Sequence, residues 1–154
     1  MGYTHYYNTP KLIAREDWTA LLMQVEKIIE FLPPDFMTKV IRGGHGNGLP
    51  KFNPDMIWFN GNEDDDLDHE TFMLERKFEP AEWQKPGKKG LYFNFTKTAR
   101  KPYDLLVCLV MIAMHQTVPC SLGSDGNAED WEGALETYNK VFGTSLTFTD
   151  IVRD

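Results

Sequence analysis

From Leu105 to Met114 the chain reads LLVCLVMIAM, ten residues in a row with no polar side chain beyond the thiol of Cys108. A helix that is apolar all round has to be enclosed on every side. The run is well short of the roughly 20 residues needed to cross a bilayer, so its cover must come from the protein itself. Pro102, just ahead of it, suits the first helical position, where a missing N–H costs nothing. We read the run as a buried central helix ending near His115. A chain of 154 residues makes one domain with one sizeable core around such a helix.

Two flanking segments have the pattern of covering helices. Trp18, Leu21, Leu22, Val25, Ile28, Ile29 and Leu32 recur at helical spacing, with Glu16, Asp17, Glu26 and Lys27 on the other face and Pro33-Pro34 as the stop. Near the C-terminal end, Asn127 caps a second stripe of Trp131, Ala134, Leu135, Tyr138, Val141 and Phe142, and Gly143 suits the left-handed residue that closes it. Strands are expected at Gly2–Tyr7, Phe36–Ile41, Met56–Asn60 and Thr71–Phe78, the last two forming a hairpin. Leu91–Thr96, where Leu91, Phe93 and Phe95 alternate with Tyr92, Asn94 and Thr96, is the clearest strand pattern. The fold class is therefore α+β. The whole chain is expected to form a single domain, a mostly antiparallel sheet of about four to six strands with about three helices packed on it.

Charge and motifs narrow the function. A net charge of −7 argues against a general nucleic-acid binder or an anionic-membrane binder. The two cysteines, Cys108 and Cys120, point to reduced thiols and a cytoplasmic setting. The opening residues carry no apolar signal segment, and Tyr6 breaks the pattern a myristoylated Met-Gly start would need. His5, His45, His69 and His115 show no metal-ligand spacing, and the run EDDDLD (Glu63–Asp68) lacks the spacing of a calcium loop. No phosphate-wrapping glycine motif and no nucleophile elbow is present. No metal and no cofactor is expected.

What stands out is TKTARKPYD, Thr96 to Asp104. Between Glu82 and Asp104 there is no acid, whereas Lys97, Arg100 and Lys101 crowd the turn that leads into the apolar helix. Cations at a helix N-terminus oppose the macrodipole. A bound phosphate or carboxylate reverses that penalty, because N–H groups, Arg and Lys then converge on it. The expected ligand is a phosphate-bearing small molecule. Candidate ligand-binding residues are Lys97, Thr98, Arg100, Lys101, Tyr103 and Asp104 from this segment, with Asn94 from the strand before it. His5 and Tyr7 from the first strand, Asn60 from the hairpin and Asp125 from the turn Ser124–Gly126 complete the set.

The opening MGYTHYY, the segment IWFNG (Ile57–Gly61), the core KTARKPYD and the step from Ser124-Asp125-Gly126 to Trp131 resemble a family of small uncharacterised bacteriophage and prophage proteins. The resemblance implies a phage context and an accessory role at the host interface. Three functions follow as expectations. The first is a non-catalytic protein that sequesters a phosphate-bearing, nucleotide-like signal and so counters host defence. The second is a nucleotide or phosphoester enzyme in which Lys97 and Arg100 stabilise charge while Asp104 or His45 moves a proton. The third is an inhibitor that docks its acidic run, Glu63 to Asp68, on a host protein. Aromatic richness, 13% of residues, permits a homo-oligomer.

Overall fold

The computed structural model describes residues 2–152. β1 (Thr4–Thr9) leads into α1 (Arg15–Phe31), α2 (Pro34–Val40), β2 (Ile41–Arg42) and β3 (Lys51–Phe52). β4 (Met56–Gly61), β5 (Phe72–Glu75) and β6 (Tyr92–Lys97) follow. α3 (Asp104–Thr117), β7 (Ser121–Ser124), α4 (Ala128–Phe142) and α5 (Phe148–Ile151) complete the chain. This is an α+β fold, as the periodicities require.

The apolar run is the hub. Leu106 to Met114 of α3 are all buried, and the stripes of α1 (Trp18, Leu21, Val25, Ile28) and α4 (Trp131, Ala134, Leu135, Tyr138) belong to the same core. Burying each such aliphatic side chain contributes about 1.5–3 kcal/mol, so α3 is the main source of cohesion. No helix among the described residues is long and apolar enough to cross a membrane.

The strands divide into two antiparallel sheets rather than one. β1 is central in the first, between β6 and β7. β4 organises the second, pairing with β2, β3 and β5. The sheets are stitched along β5 and β6 by single bonds instead of a ladder: Asn94 Nδ2 donates to Met73 O, Thr96 Oγ1 to Thr71 O, and Glu70 N to Lys97 O. Seven strands and five α-helices among the described residues exceed the expected four to six and about three. The additions, α2, β2, β3 and α5, are short.

One sequence reading is overturned. Phe36–Ile41 is not a strand, since Pro34–Val40 forms α2 and only Ile41–Arg42 is extended. Pro34 occupies the first turn, where its fixed φ favours a helix, and Asp35 pairs with Lys39 one turn on. α4, by contrast, has the punctuation its sequence shows. Asn127 and Asp130 form a reciprocal capping box, and Gly143 closes the helix with φ of 66°.

Candidate functional site

β1, β7, the 98–101 turn and the first turns of α3 and α4 meet at one end of the first sheet. Register brings His5 of β1 opposite Ser124 of β7 and Thr96 of β6. The next inward-facing position of β1 is Tyr7. His5 is fully buried and has a partner at each ring nitrogen: Ser124 Oγ lies 2.8 Å from Nδ1, and Asp104 Oδ1 lies 2.6 Å from Nε2.

The serine decides where the ring proton sits. Ser124 Oγ accepts the Gly126 backbone N–H at 2.9 Å and the Trp131 indole N–H at 3.1 Å, which uses both of its lone pairs. Its own hydrogen must then be donated to His5 Nδ1. Nδ1 is an acceptor, and Nε2–H donates to Asp104. Thr98 Oγ1 donates to the same carboxylate oxygen at 2.5 Å, while Cys108 Sγ approaches Asp104 Oδ2 at 3.6 Å. Burial pushes the Asp104 carboxyl up, yet His5 first, and then the hydrogen bonds from Thr98 and Cys108, bring the net shift below the usual carboxylate range. Burial, reinforced by the Asp104 charge, holds the Cys108 thiol protonated well above its ordinary range.

His5, Asp104 and Cys108 present three potential metal-ligand atoms within 4.8 Å of one another. Their protons already satisfy that arrangement. A metal on Nε2 would need the ring proton on Nδ1, where the Ser124 hydroxyl presents its own hydrogen.

The 98–101 turn carries the strain. Ala99 and Arg100 have φ of 52° and 58°, and Lys101 N closes the turn on Thr98 O at 3.0 Å. Non-glycine residues in this left-handed region cost roughly 1–2 kcal/mol each, and such strain concentrates at functional sites. Here it places the Arg100 guanidinium 4.0 Å over the Tyr3 ring and against the Asp130 carboxylate. Asp130 is held in return by the Asn127 backbone N–H and lies below the usual range, from that bond first and from Arg100 second.

Two clefts flank the Tyr3–Arg100 stack. The outer one, about 540 Å³, is lined by Gly2, Tyr3, Ala99, Arg100 and Asp125. The inner one, about 240 Å³, reaches down to Asp104 and Cys108 between Leu105 on α3 and Gly133 and Ala134 on α4. Tyr3 is 5% exposed, and its buried hydroxyl has no hydrogen-bond partner among the described residues. That hydroxyl fills the space beside Gly126, where a Cβ would come within 2.2 Å of it. Only glycine fits there.

Of the residues expected from sequence, His5, Thr98, Arg100, Lys101, Asp104 and Asp125 come together at these clefts or directly beneath them. The others do not. Tyr7 is in the core, bonded to Thr96. Tyr103 bonds the Glu70 carbonyl, Asn94 braces Met73, and Asn60 braces the loops through Gly44 O and His69 O. Lys97 supplies its carbonyl to His69 and an exposed side chain on the outer face of the sheet.

The convergence of helix N–H groups also fails to appear. α3 begins at Asp104, two residues later than expected, and its first N–H groups are bonded to the carbonyls of Lys101, Pro102 and Tyr103. The cations diverge as well, Arg100 to Asp130 and Lys101 to Asp66. Sequence reasoning passed over Ser124, Asp130 and Trp131 as site residues. No sequence signal pointed to them, because His5 lies 119 residues from Ser124 and 99 from Asp104.

Set against known proteins, the chain matches no family model, no curated protein and no solved structure. The functional reading therefore rests on the site itself.

Proposed function

We propose that this protein binds and holds a phosphate-bearing, nucleotide-like small molecule at the clefts around the Tyr3–Arg100 stack, without turning it over. One observation carries the reading: Arg100 is held on a strained turn between two clefts, beside a buried hydroxyl that has no partner among the described residues. Its guanidinium has five N–H donors, of which the contacts among the described residues use only the one directed at Asp130. The Arg100–Asp130 pair is open to solvent, with 59% of the arginine side chain exposed, so an incoming phosphate can take the guanidinium in bidentate fashion. Asp130 keeps its Asn127 bond when it lets go. Lys101 also lines the inner cleft, but its ammonium is turned to Asp66, so the phosphate rests on Arg100.

Holding rather than converting is favoured by the protonation pattern. Both nitrogens of His5 are engaged, Asp104 is a weak base, and Cys108 is a protonated thiol. His45 packs edge-on against Trp58 by the second sheet, away from the clefts. The acidic run is partly consumed internally, Glu63 by Asn47, Asp65 by Asn62 and Asp66 by Lys101, which weakens its case as a docking face for a host protein. In the phage context that the sequence resemblance implies, such a holder would withdraw a host nucleotide signal.

The test is a thermal-shift panel of nucleoside phosphates and cyclic nucleotides on the purified chain, followed by mass analysis of recovered ligand. A stabilising compound recovered unchanged is the expected result, with a midpoint rise that grows with concentration above Kd. Arg100→Ala should weaken that compound by about 1.5–3 kcal/mol, the usual worth of a charged hydrogen-bond partner. Binding that is indifferent to Arg100, or a ligand recovered chemically altered, removes the reading.

A further inference from the structure

The inner cleft is more selective than a phosphate site needs to be. Two carboxylates border it, Asp104 from α3 and Asp130 from α4, and an inorganic anion pushed between them would be repelled. The two acids are not equivalent. Asp130 uses both oxygens, Oδ1 for Arg100 and Oδ2 for the Asn127 N–H. Asp104 uses Oδ1 twice, for His5 Nε2–H and Thr98 O–H, but among the described residues Oδ2 meets only the Cys108 sulfur at 3.6 Å, a weak donor. Among the described residues, one oxygen of a locked, ionised carboxylate that lines the cleft is left with open lone pairs.

From this geometry we infer that Asp104 Oδ2 accepts the vicinal hydroxyls of a ribose, so that the molecule held is a ribosyl phosphate with its sugar in the inner cleft and its phosphate on Arg100. The inference rests on the proposed phosphate-binding function and adds to it the chemistry of the ligand's neutral part. Three features favour a sugar over a base. The inner cleft is small, about 240 Å³. Beside the charged residues and Cys108 its lining is Leu105, Gly133, Ala134 and Tyr3, and a base would need an aromatic face to stack on. The one aromatic ring at hand, Tyr3, already carries the Arg100 guanidinium.

The space is real at Gly133, where a Cβ would meet nothing within 4 Å. Gly133 lines the cleft, so a side chain can be added at its edge without a clash with the core.

The experiment is an NMR titration of the full chain with ribose 5-phosphate, 2-deoxyribose 5-phosphate and inorganic phosphate, read at the backbone amides. Ribose 5-phosphate is expected to bind at least tenfold more tightly than the deoxy sugar, shifting the amides of Asp104, Cys108 and Gly133 as well as Arg100. Asp104→Asn should abolish that preference, since one carboxylate oxygen becomes a donor. Gly133→Leu, an exposed helix position that leaves the core untouched, should abolish it by filling the cleft while inorganic phosphate still shifts Arg100. Equal affinity for the two sugars, with phosphate binding retained, overturns the diol and leaves the phosphate site standing. No response at Arg100 to any of the three probes overturns both.

Discussion

Ser124→Ala strikes the one atom on which the site's protonation pattern turns. Ser124 Oγ serves three partners: it accepts from Gly126 N and Trp131 Nε1 and donates to His5 Nδ1. His5 and Trp131 are both 0% exposed, so water does not readily take the place of the hydroxyl. Leaving a buried donor or acceptor unsatisfied costs about 1–3 kcal/mol. The Gly126 N–H lies nearer the surface, and the three losses are not additive. The total is therefore about 2–4 kcal/mol, which for a chain of this length lowers the thermal midpoint by on the order of 5–15 °C. The assay is urea unfolding at neutral pH followed by tryptophan fluorescence, with the slope compared to confirm that compactness is unchanged. Ser121→Ala in the same strand is the control. Its hydroxyl accepts an exposed hydrogen bond from the Asn8 side chain, so a cost below about 0.5 kcal/mol is expected. The imidazole nitrogen shifts of His5 should report the proton on Nε2. Equal costs for the two serine variants, or a proton found on Nδ1, would show that the network is wired differently.

Two further outcomes test the same corner of the molecule. Ala99→Gly relieves a left-handed φ of 52° worth roughly 1–2 kcal/mol against about 0.4–1 kcal/mol of added freedom in the unfolded chain. The urea midpoint should rise slightly, and a clear fall would mean that the turn is not strained. Asp104 has its folded pKa depressed below the unfolded value, so its stabilising contribution is complete above the unfolded pKa of about 3.9. That contribution disappears as pH falls through the folded value. Asp104→Asn should accordingly lose less stability than the parent between pH 5 and the acid limit, roughly the window such a carboxylate spans. Parallel acid profiles for the two proteins would mean that the carboxylate is not held as described.

Much of the architecture was legible because its causes are local. The all-apolar face of α3, the stripe of α1 and the capping box of α4 are set by residues within a turn or two of one another, and each element formed where its pattern lies. Phe36–Ile41 misled because a β-compatible hexapeptide follows a proline pair that starts a helix just as well. β6 formed as its alternation requires, yet the phenylalanines do not face the core. Phe93 and Phe95 are 52% and 43% exposed, tilted against each other and Tyr6 on the sheet's outer surface. Alternation fixes that a strand has two faces, and only the neighbouring layer decides which one is covered.

Sequence alone thus determined a buried helix, two amphipathic covers, a set of short strands and a turn crowded with positive charge. It could not determine where that charge goes. Arg100 meets an acid 30 residues away and Lys101 one 35 residues away, and His5 finds Asp104 and Ser124 at separations of 99 and 119. Helical and strand periodicity arise from backbone geometry and act over a few residues. Ion pairs, proton positions and open lone pairs depend on which distant side chains the packed elements bring within 3 Å or so, and the tertiary structure alone makes that selection.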